Sequence, residues 1–308
     1  MRVMVTGATG FIGRALCGAL LSQQMPLTRV SRAPGVQGSV AVGEIDGTTD
    51  WTLALQQCTV VVHLAARVHV MNETVADPLA AYRRTNVEGT MALARQAAAA
   101  GVRRFIFIST VKVNGESSPE GQPFRADDVP APKDAYGVSK MEAEQGLRQL
   151  AQHTGMQVVI IRPPLVYGPG VGANFATLLR VVRRGLPLPL GAIRNQRSLV
   201  ALDNLVDLII TCVTHPAAAN QTLLVSDGQD LSIAELVRGM AQAAGVAARL
   251  LSVPVWALRT AASLLGKREV VSRLCSNLQL DIAKTRSLLG WAPPVSVQEG
   301  LRRAVSNE

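Results

Sequence analysis

At 308 residues and 32.6 kDa the chain exceeds one average domain, yet it fits a single α/β core carrying a smaller lobe. Hydrophobic residues make up 48% and charged residues 17%, enough apolar material to offset chain entropy and to exclude long disordered tracts. The formal charge of +9 favours anionic partners, but Lys and Arg are scattered and aromatic residues reach only 4%, which argues against nucleic acid and leaves a phosphorylated small molecule or an acidic membrane surface.

The opening MRVMVTGATG turns glycine-rich too early for the apolar segment of a signal peptide, and no charge-free apolar run reaches spanning length. A cytoplasmic protein without an integral membrane segment is expected. Short β-branched runs alternate with longer amphipathic ones: Val3–Thr6, Phe11–Ser22 and Leu27–Ser31, then residues 60–64. That rhythm predicts βαβ units and a parallel sheet. An alanine-rich helix over 80–100, ended by Gly101, leads into a strand at 104–109; a helix at 134–154 precedes a strand at 158–162. These segments predict a Rossmann-type doubly wound parallel sheet.

After Gly168 the texture changes, with Pro169, Gly170, Gly172, Pro187, Pro189 and Gly191 breaking the chain and helices dominating from Asp203 onward. The expected division is a dinucleotide-binding domain over 1–168, with returns at about 198–225, and a smaller, mostly helical substrate lobe over 169–308. The apolar stretch 250–265 carries Trp256 and could lie on a membrane; Pro254 and Arg259 interrupt it, so core or oligomer packing is the expectation. Cys17, Cys58, Cys212 and Cys275 form no CxxC pair and have no His at ligand spacing, so they read as reduced structural thiols with no metal site.

Two patterns carry chemistry. The first strand runs into Thr6-Gly7-Ala8-Thr9-Gly10-Phe11-Ile12-Gly13, a GxxGxxG series opening a helix. Backbone N–H groups and the helix dipole can there meet a pyrophosphate, because glycine has no Cβ to hold it off. Tyr136 and Lys140 stand four apart at the start of the 134–154 helix, on one face. An ammonium and a positively charged nicotinamide ring would favour the phenolate of a tyrosine whose ordinary pKa is ~10. Upstream, Ser109-Thr110 brings a hydroxyl to the C-terminal sheet edge, where open α/β sheets bind ligands.

The chain resembles the extended short-chain dehydrogenase/reductases, in the nucleotide-sugar epimerase, dehydratase and reductase branch typified by UDP-glucose 4-epimerase. The likeness spans nearly the whole sequence: TGATGFIG at 6–13, HLAA at 63–66, NVEGT at 86–90, Ser109-Thr110, YGVSK at 136–140, RPPLVYGPG at 162–170, RSLVALDNL at 197–205 and LGWAP at 289–293. By that resemblance Gly7, Thr9, Gly10, Phe11, Ile12 and Gly13 hold the pyrophosphate side of the cofactor, and Arg32, Glu44, Ile45, Leu64, Ala65, Ala66, Ser109 and Pro163 line its remainder. Asn86 supports the active-site helix. Tyr136 is the acid/base, Lys140 tunes it and grips the nicotinamide ribose, and Thr110 hydrogen-bonds the reacting sugar oxygen. Lys112, Leu165, Asn174 and Arg197 are the implied substrate contacts, Arg197 with its planar fork meeting the diphosphate. His63 reads as structural and Trp291 as packing in the small lobe. The resemblance also implies a homodimer joined through the two long helices.

Departures narrow the reading. The strand at 27–31 ends without the acid that usually takes the adenosine ribose hydroxyls; Arg32 follows instead, so NADP stands beside NAD with a slight lean toward it, while Glu44 sits where relatives carry an acid near the adenine. Val111-Lys112 replace the Asp-Glu pair of 4,6-dehydratases, which removes most support for dehydration. Leu165 stands where many relatives carry Asn near the substrate phosphates, and Asn114 replaces a frequent Tyr. RPPLVYGPG with PLPLGAIRNQRSLV is like bacterial enzymes acting on UDP-N-acetylhexosamines in surface-polysaccharide synthesis. The expectation is a UDP-sugar 4-epimerase working through a 4-keto intermediate. The rivals are an NAD(P)H-dependent 4-ketoreductase and a non-catalytic dinucleotide sensor, the latter disfavoured because Tyr136 and Lys140 are both present.

Overall fold

The structure, a computed structural model, describes residues 1–68, 77–264, 266 and 268–306. In chain order the elements are β1 (Val3–Thr6), α1 (Phe11–Ser22), β2 (Leu27–Ser31), β3 (Ser39–Ala41) and β4 (Val60–His63). Then come α2 (Pro78–Arg83), a π-helical turn (Arg84–Gly89), α3 (Thr90–Ala99), β5 (Arg104–Ile108), a 3₁₀ turn (Val111–Val113), α4 (Ala135–Thr154) and β6 (Gln157–Arg162). β7 (Leu165–Tyr167), α5 (Ala173–Arg183), β8 (Leu199–Ala201), α6 (Leu202–Thr214) and β9 (Thr222–Leu224) follow. The chain continues through α7 (Ile233–Ala243), α8 (Val255–Leu264), α9 (Arg268–Cys275), α10 (Ala283–Leu289) and α11 (Val297–Ser306).

Seven strands make one parallel sheet in the order β3-β2-β1-β4-β5-β6-β9, and the order reverses between β1 and β4. Side chains on a strand alternate between faces, so a sheet covered on both sides needs apolar residues at every position. Val3, Val5, Val60, Val62, Ile106, Ile108, Val159 and Ile161 face a cluster built with α1 and α6. Met4, Val61, Phe105, Phe107, Val158 and Ile160 face the other, built with Leu93 and Ala94 of α3 and Ala143 and Leu147 of α4. A third cluster joins Tyr167, Phe175 and Leu179 to α7 and α11 and forms the core of the C-terminal lobe. Trp291 packs in the first of these clusters, beside the sheet, and not within the lobe's own; its indole N–H donates to Asp207 Oδ2 at 2.7 Å.

The single helix expected over 80–100 is three pieces. Asp77 caps α2, accepting from the Ala80 N–H, and the helix widens into the π turn before α3 resumes. The helix at 134–154 is intact, capped by Asp134, whose Oδ1 accepts from the Gly137 N–H at 2.7 Å, and closed by Gly155 in the left-handed region.

Candidate active site

The glycine loop comes first. Gly7 takes φ +64°, and a Cβ there would lie 2.9 Å from the Ala65 nitrogen; a Cβ on Gly13 would lie 2.0 Å from the Gly7 carbonyl oxygen. Glycine at these two positions is therefore a packing requirement, and it brings the start of α1 against β1 and the chain after β4. Gly10 occupies the N-cap with no side-chain hydrogen bond, and the first turn of α1 carries no acid. The helix terminus is left open to an external anion, which fits a dinucleotide diphosphate. Phe11 and Ile12 start the helix with their side chains packed on the core, so what they offer a phosphate is backbone.

The ends of β1 and β4 are locked together. Thr6 Oγ1 accepts from the Leu64 and Ala65 N–H groups, both at 3.2 Å, and so donates to His63 Nδ1 at 2.8 Å. His63 Nε2–H then donates to Thr90 Oγ1 at 3.1 Å. Burial, helped by the Lys140 charge, pushes this imidazole down to about 3, so it stays neutral and structural. Leu64, Ala65 and Ala66 are thereby held half-buried beside Gly7.

Thr110 and Ser109 end β5 differently. The Thr110 hydroxyl accepts from the Lys112 N–H at 3.3 Å and keeps its own proton to give. Ser109 Oγ instead donates inward to Glu144 Oε1 at 2.6 Å. Glu144 is fully buried and takes a two-pronged contact from Arg162, 2.9 Å from Nε and 2.6 Å from Nη2; Arg162 Nη1 also reaches Asn114 Oδ1 at 3.0 Å. This network ties α4 to β5 and β6 directly beneath the site. The Ser109 side chain points into it because a buried carboxylate needs every donor it can find.

Tyr136 and Lys140 lie on the first turns of α4. Lys140 is buried, its Nζ 3.9 Å from the centroid of the Phe107 ring, and burial lowers its pKa to about 7 against the opposing pull of Glu144. The Tyr136 phenol is pushed well above its ordinary value by burial, then by the charge of Asp134 and by Tyr82, whose ring stands 6.0 Å away. Lys140 is not among these causes. Asn86, in the π turn, bridges to α4: its Oδ1 accepts from the Arg67 N–H at 2.8 Å, and its Nδ2 donates to the Arg67 carbonyl and to Ser139 Oγ, both at 3.0 Å. Ser139 Oγ donates on to the Tyr136 carbonyl at 2.8 Å.

At the rim the sequence expectations meet mixed outcomes. Arg32 and Glu44 line one cleft with Thr9, Ser31, Ala33, Val36 and Gly43, so a cation and an acid share the edge beyond β2; the neighbouring Ile45 is buried. Lys112 is engaged by Asp134 Oδ2 and by Glu116, the latter at 3.0 Å. Burial would lower its pKa, and the two carboxylates outweigh that and raise it. Its ammonium braces the α4 cap. Arg197 is half-buried, with Nη1 donating to the carbonyls of Arg273 at 2.9 Å and Ser276 at 3.1 Å. Leu165 is exposed, and buried Pro163 accepts from the Val111 N–H at 3.0 Å. Asn174 falls in the first turn of α5, with its side chain outside those described. Tyr82, Ser139 and Glu144 are site-building residues to which the sequence reading gave no role; Ser139, inside the YGVSK motif, and Glu144, one turn beyond Lys140 on the same face, carried a local signal, and Tyr82 did not.

Residues 3–226 match the model of the NAD dependent epimerase/dehydratase family. The chain belongs to that family. Among its relatives, a UDP-glucose 4-epimerase of Vibrio cholerae is 50% identical over 306 residues, covering 98% of this chain and 93% of the relative. A GDP-6-deoxy-D-mannose reductase of Pseudomonas aeruginosa is 26% identical over 315 residues, 99% of this chain and 96% of the relative. The fold matches that of solved members: MoeE5 in complex with UDP-glucose and NAD, with TM-score 0.79 and 25% identity over 99% of this chain and 97% of that one. UDP-glucose 4-epimerase of Thermotoga maritima with UDP-glucose superposes with TM-score 0.80 at 23% identity, covering 100% of this chain and 98% of the other.

Proposed function

We propose that the protein is a nicotinamide-dependent UDP-sugar 4-epimerase. The observation that carries the reading is the placement of Tyr136, Lys140 and Thr110 at the end of β5 and the start of α4, in a chain 50% identical to a UDP-glucose 4-epimerase along nearly its full length. The family's cofactor fits the residues present. The uncapped start of α1 would take its diphosphate, and Ala65, Ala66 and Pro163 would border its nicotinamide half. When bound, that ring supplies a reversible hydride sink.

Tyr136 takes the proton of the sugar C4 hydroxyl as the carbonyl forms, and returns it once hydride has come back to the other face of the 4-keto sugar. Burial and Asp134 oppose the phenolate, so ionisation depends on positive charge brought close to the phenol, from Lys140 and from the oxidised ring. The free proton of Thr110 donates to the same sugar oxygen and keeps it aligned. Lys140 holds the nicotinamide ribose. Arg197, with nitrogens beyond the anchored Nη1, meets the substrate diphosphate.

The cofactor is NAD or NADP: Glu44 is suited to ribose hydroxyls and Arg32 to a 2′-phosphate across the same cleft. Solved relatives hold NAD in several cases and NADPH in one, RMD from Pseudomonas aeruginosa. Arg32 also favours a second reading, a 4-ketoreductase that performs only the returning half and consumes reduced cofactor. Two copies would pair through α3 and α4.

The test is to incubate purified protein with UDP-glucose or UDP-N-acetylglucosamine, without reduced cofactor, and to follow the sugar by NMR. Epimerisation predicts conversion to the galacto isomer. No conversion, together with oxidation of NADPH on a 4-keto substrate, would replace it by the ketoreductase.

A further inference from the structure

Helix α8 wears its apolar residues on the wrong side for a water-soluble surface. Its inner face, Val255, Leu258 and Ala262 at spacings of three and four, packs toward the C-terminal lobe. Its outer face carries Trp256, 72% exposed, and Leu264, 84% exposed, with Arg259 between them. Exposed leucines also stand on the segment that leads into the helix and on the loop paired with it. The segment holding exposed Leu251 is stitched to the loop holding exposed Leu186, Leu188 N–H donating to the Arg249 carbonyl and Leu251 N–H to the Leu188 carbonyl, both at 2.8 Å. Arg184 and Arg249 are exposed on these same two segments. The two segments themselves carry no acid, since neither residues 145–202 nor residues 236–268 contain a single Asp or Glu, the next one after the second being Glu269 in the first turn of α9.

We propose that this face of the lobe docks on an anionic lipid bilayer. An indole and a leucine set among arginines is the composition of a surface that buries its apolar tips at the headgroup level while its guanidiniums meet lipid phosphates. A second copy is a poor occupant, because a two-fold contact through this face would set Arg249 and Arg259 against like charges with no carboxylate in either segment to answer them. Helix α8 packs chiefly on α9, so docking through its outer face does not compete with the pairing of copies through α3 and α4 proposed above. Attachment is reversible, since no helix among the described residues is long and apolar enough to cross a membrane.

The experiment is co-sedimentation of the full chain with phosphatidylcholine vesicles and with vesicles containing one third phosphatidylglycerol, at low and high salt. The expected result is sedimentation with the anionic vesicles only, reversed by salt, and an apparent affinity lowered about tenfold or more by Trp256→Ser with Leu264→Ser. The double variant retains wild-type melting temperature and turnover, since both side chains stand in solvent. Absence of sedimentation, equal sedimentation with both vesicle types, or a double variant that sediments like wild type overturns the proposal. So does a self-association, read by light scattering, that the double variant abolishes.

Discussion

Lys140 is a residue the protein holds at a cost. Its ammonium is buried against the Phe107 ring, and burial brings its pKa from 10.5 to about 7, so the folded, unliganded chain binds fewer protons than the unfolded chain between those values. Stability contributed at this position is present above the unfolded pKa and is lost as pH falls from about 10.5 through about 7. Replacing Lys140 by Met should therefore raise the stability of the unliganded protein at neutral pH by about 1–4 kcal/mol and flatten its rise with pH across that window, while turnover is lost. Urea melts from pH 7 to 10 on both proteins measure it; a variant less stable than wild type at pH 7 would show that the ammonium stabilises the fold. The Tyr136–Lys140 pair was legible in the sequence because both residues sit on one helix face. Its electrostatics were not, since Asp134 and Tyr82 raise the phenol and one of them approaches from a different helix. The partners of Ser109 and Lys112 were hidden for the same reason: Glu144 and Asp134 lie 35 and 22 residues away.

At the scale of elements, the π turn between α2 and α3 shows why local pattern fails. Residues 84–90, RTNVEGT, are mostly weak helix formers between stronger ones, a local dip that marks a soft place in the helix without announcing an inserted residue. The turn is set by what Asn86 must reach: both backbone groups of Arg67 on one side and Ser139 of α4 on the other. Asn86→Ala would leave the Arg67 N–H and carbonyl, and one bond of Ser139, without these partners. We expect a loss of about 2–3 kcal/mol in urea denaturation and a fall in kcat larger than any rise in KM, because the residue aligns the first turn of α4 and touches no substrate. An unchanged kcat would mean that Ser139 and the Asp134 cap suffice to place Tyr136. Five strands, β1, β2, β4, β5 and β6, were by contrast legible nearly to the residue, while the three-residue strands β3, β7, β8 and β9 were not. A sheet buried on both faces leaves an uninterrupted apolar run such as VMVT or RFIFI, and glycine or a helix cap ends it.

For the whole molecule, the doubly wound order follows from the alternation of strands and helices and from right-handed crossovers. The place of the site follows from the reversal of strand order between β1 and β4, where the glycine loop and the Ala65–Ala66 segment meet. The entry of β9 into the main sheet as its last strand rests on long-range packing under α6 and α10, which a three-residue strand does not advertise. The choice of sugar and of cofactor phosphate is written in rim side chains such as Arg32, Leu165 and Arg197, whose partners are ligands and not other parts of the chain. The central claim is that one site would pass the C4 hydride to a bound nicotinamide and take it back onto the same carbon without releasing it, Tyr136 carrying the proton each way. UDP-glucose labelled with deuterium at C4 tests it most directly, followed by NMR on the protein with its own bound cofactor. Retention of the label at C4 of the galacto product, with no hydrogen taken from water, is predicted; deuterium replaced by solvent hydrogen, or passed to added cofactor with no galacto product, would contradict it.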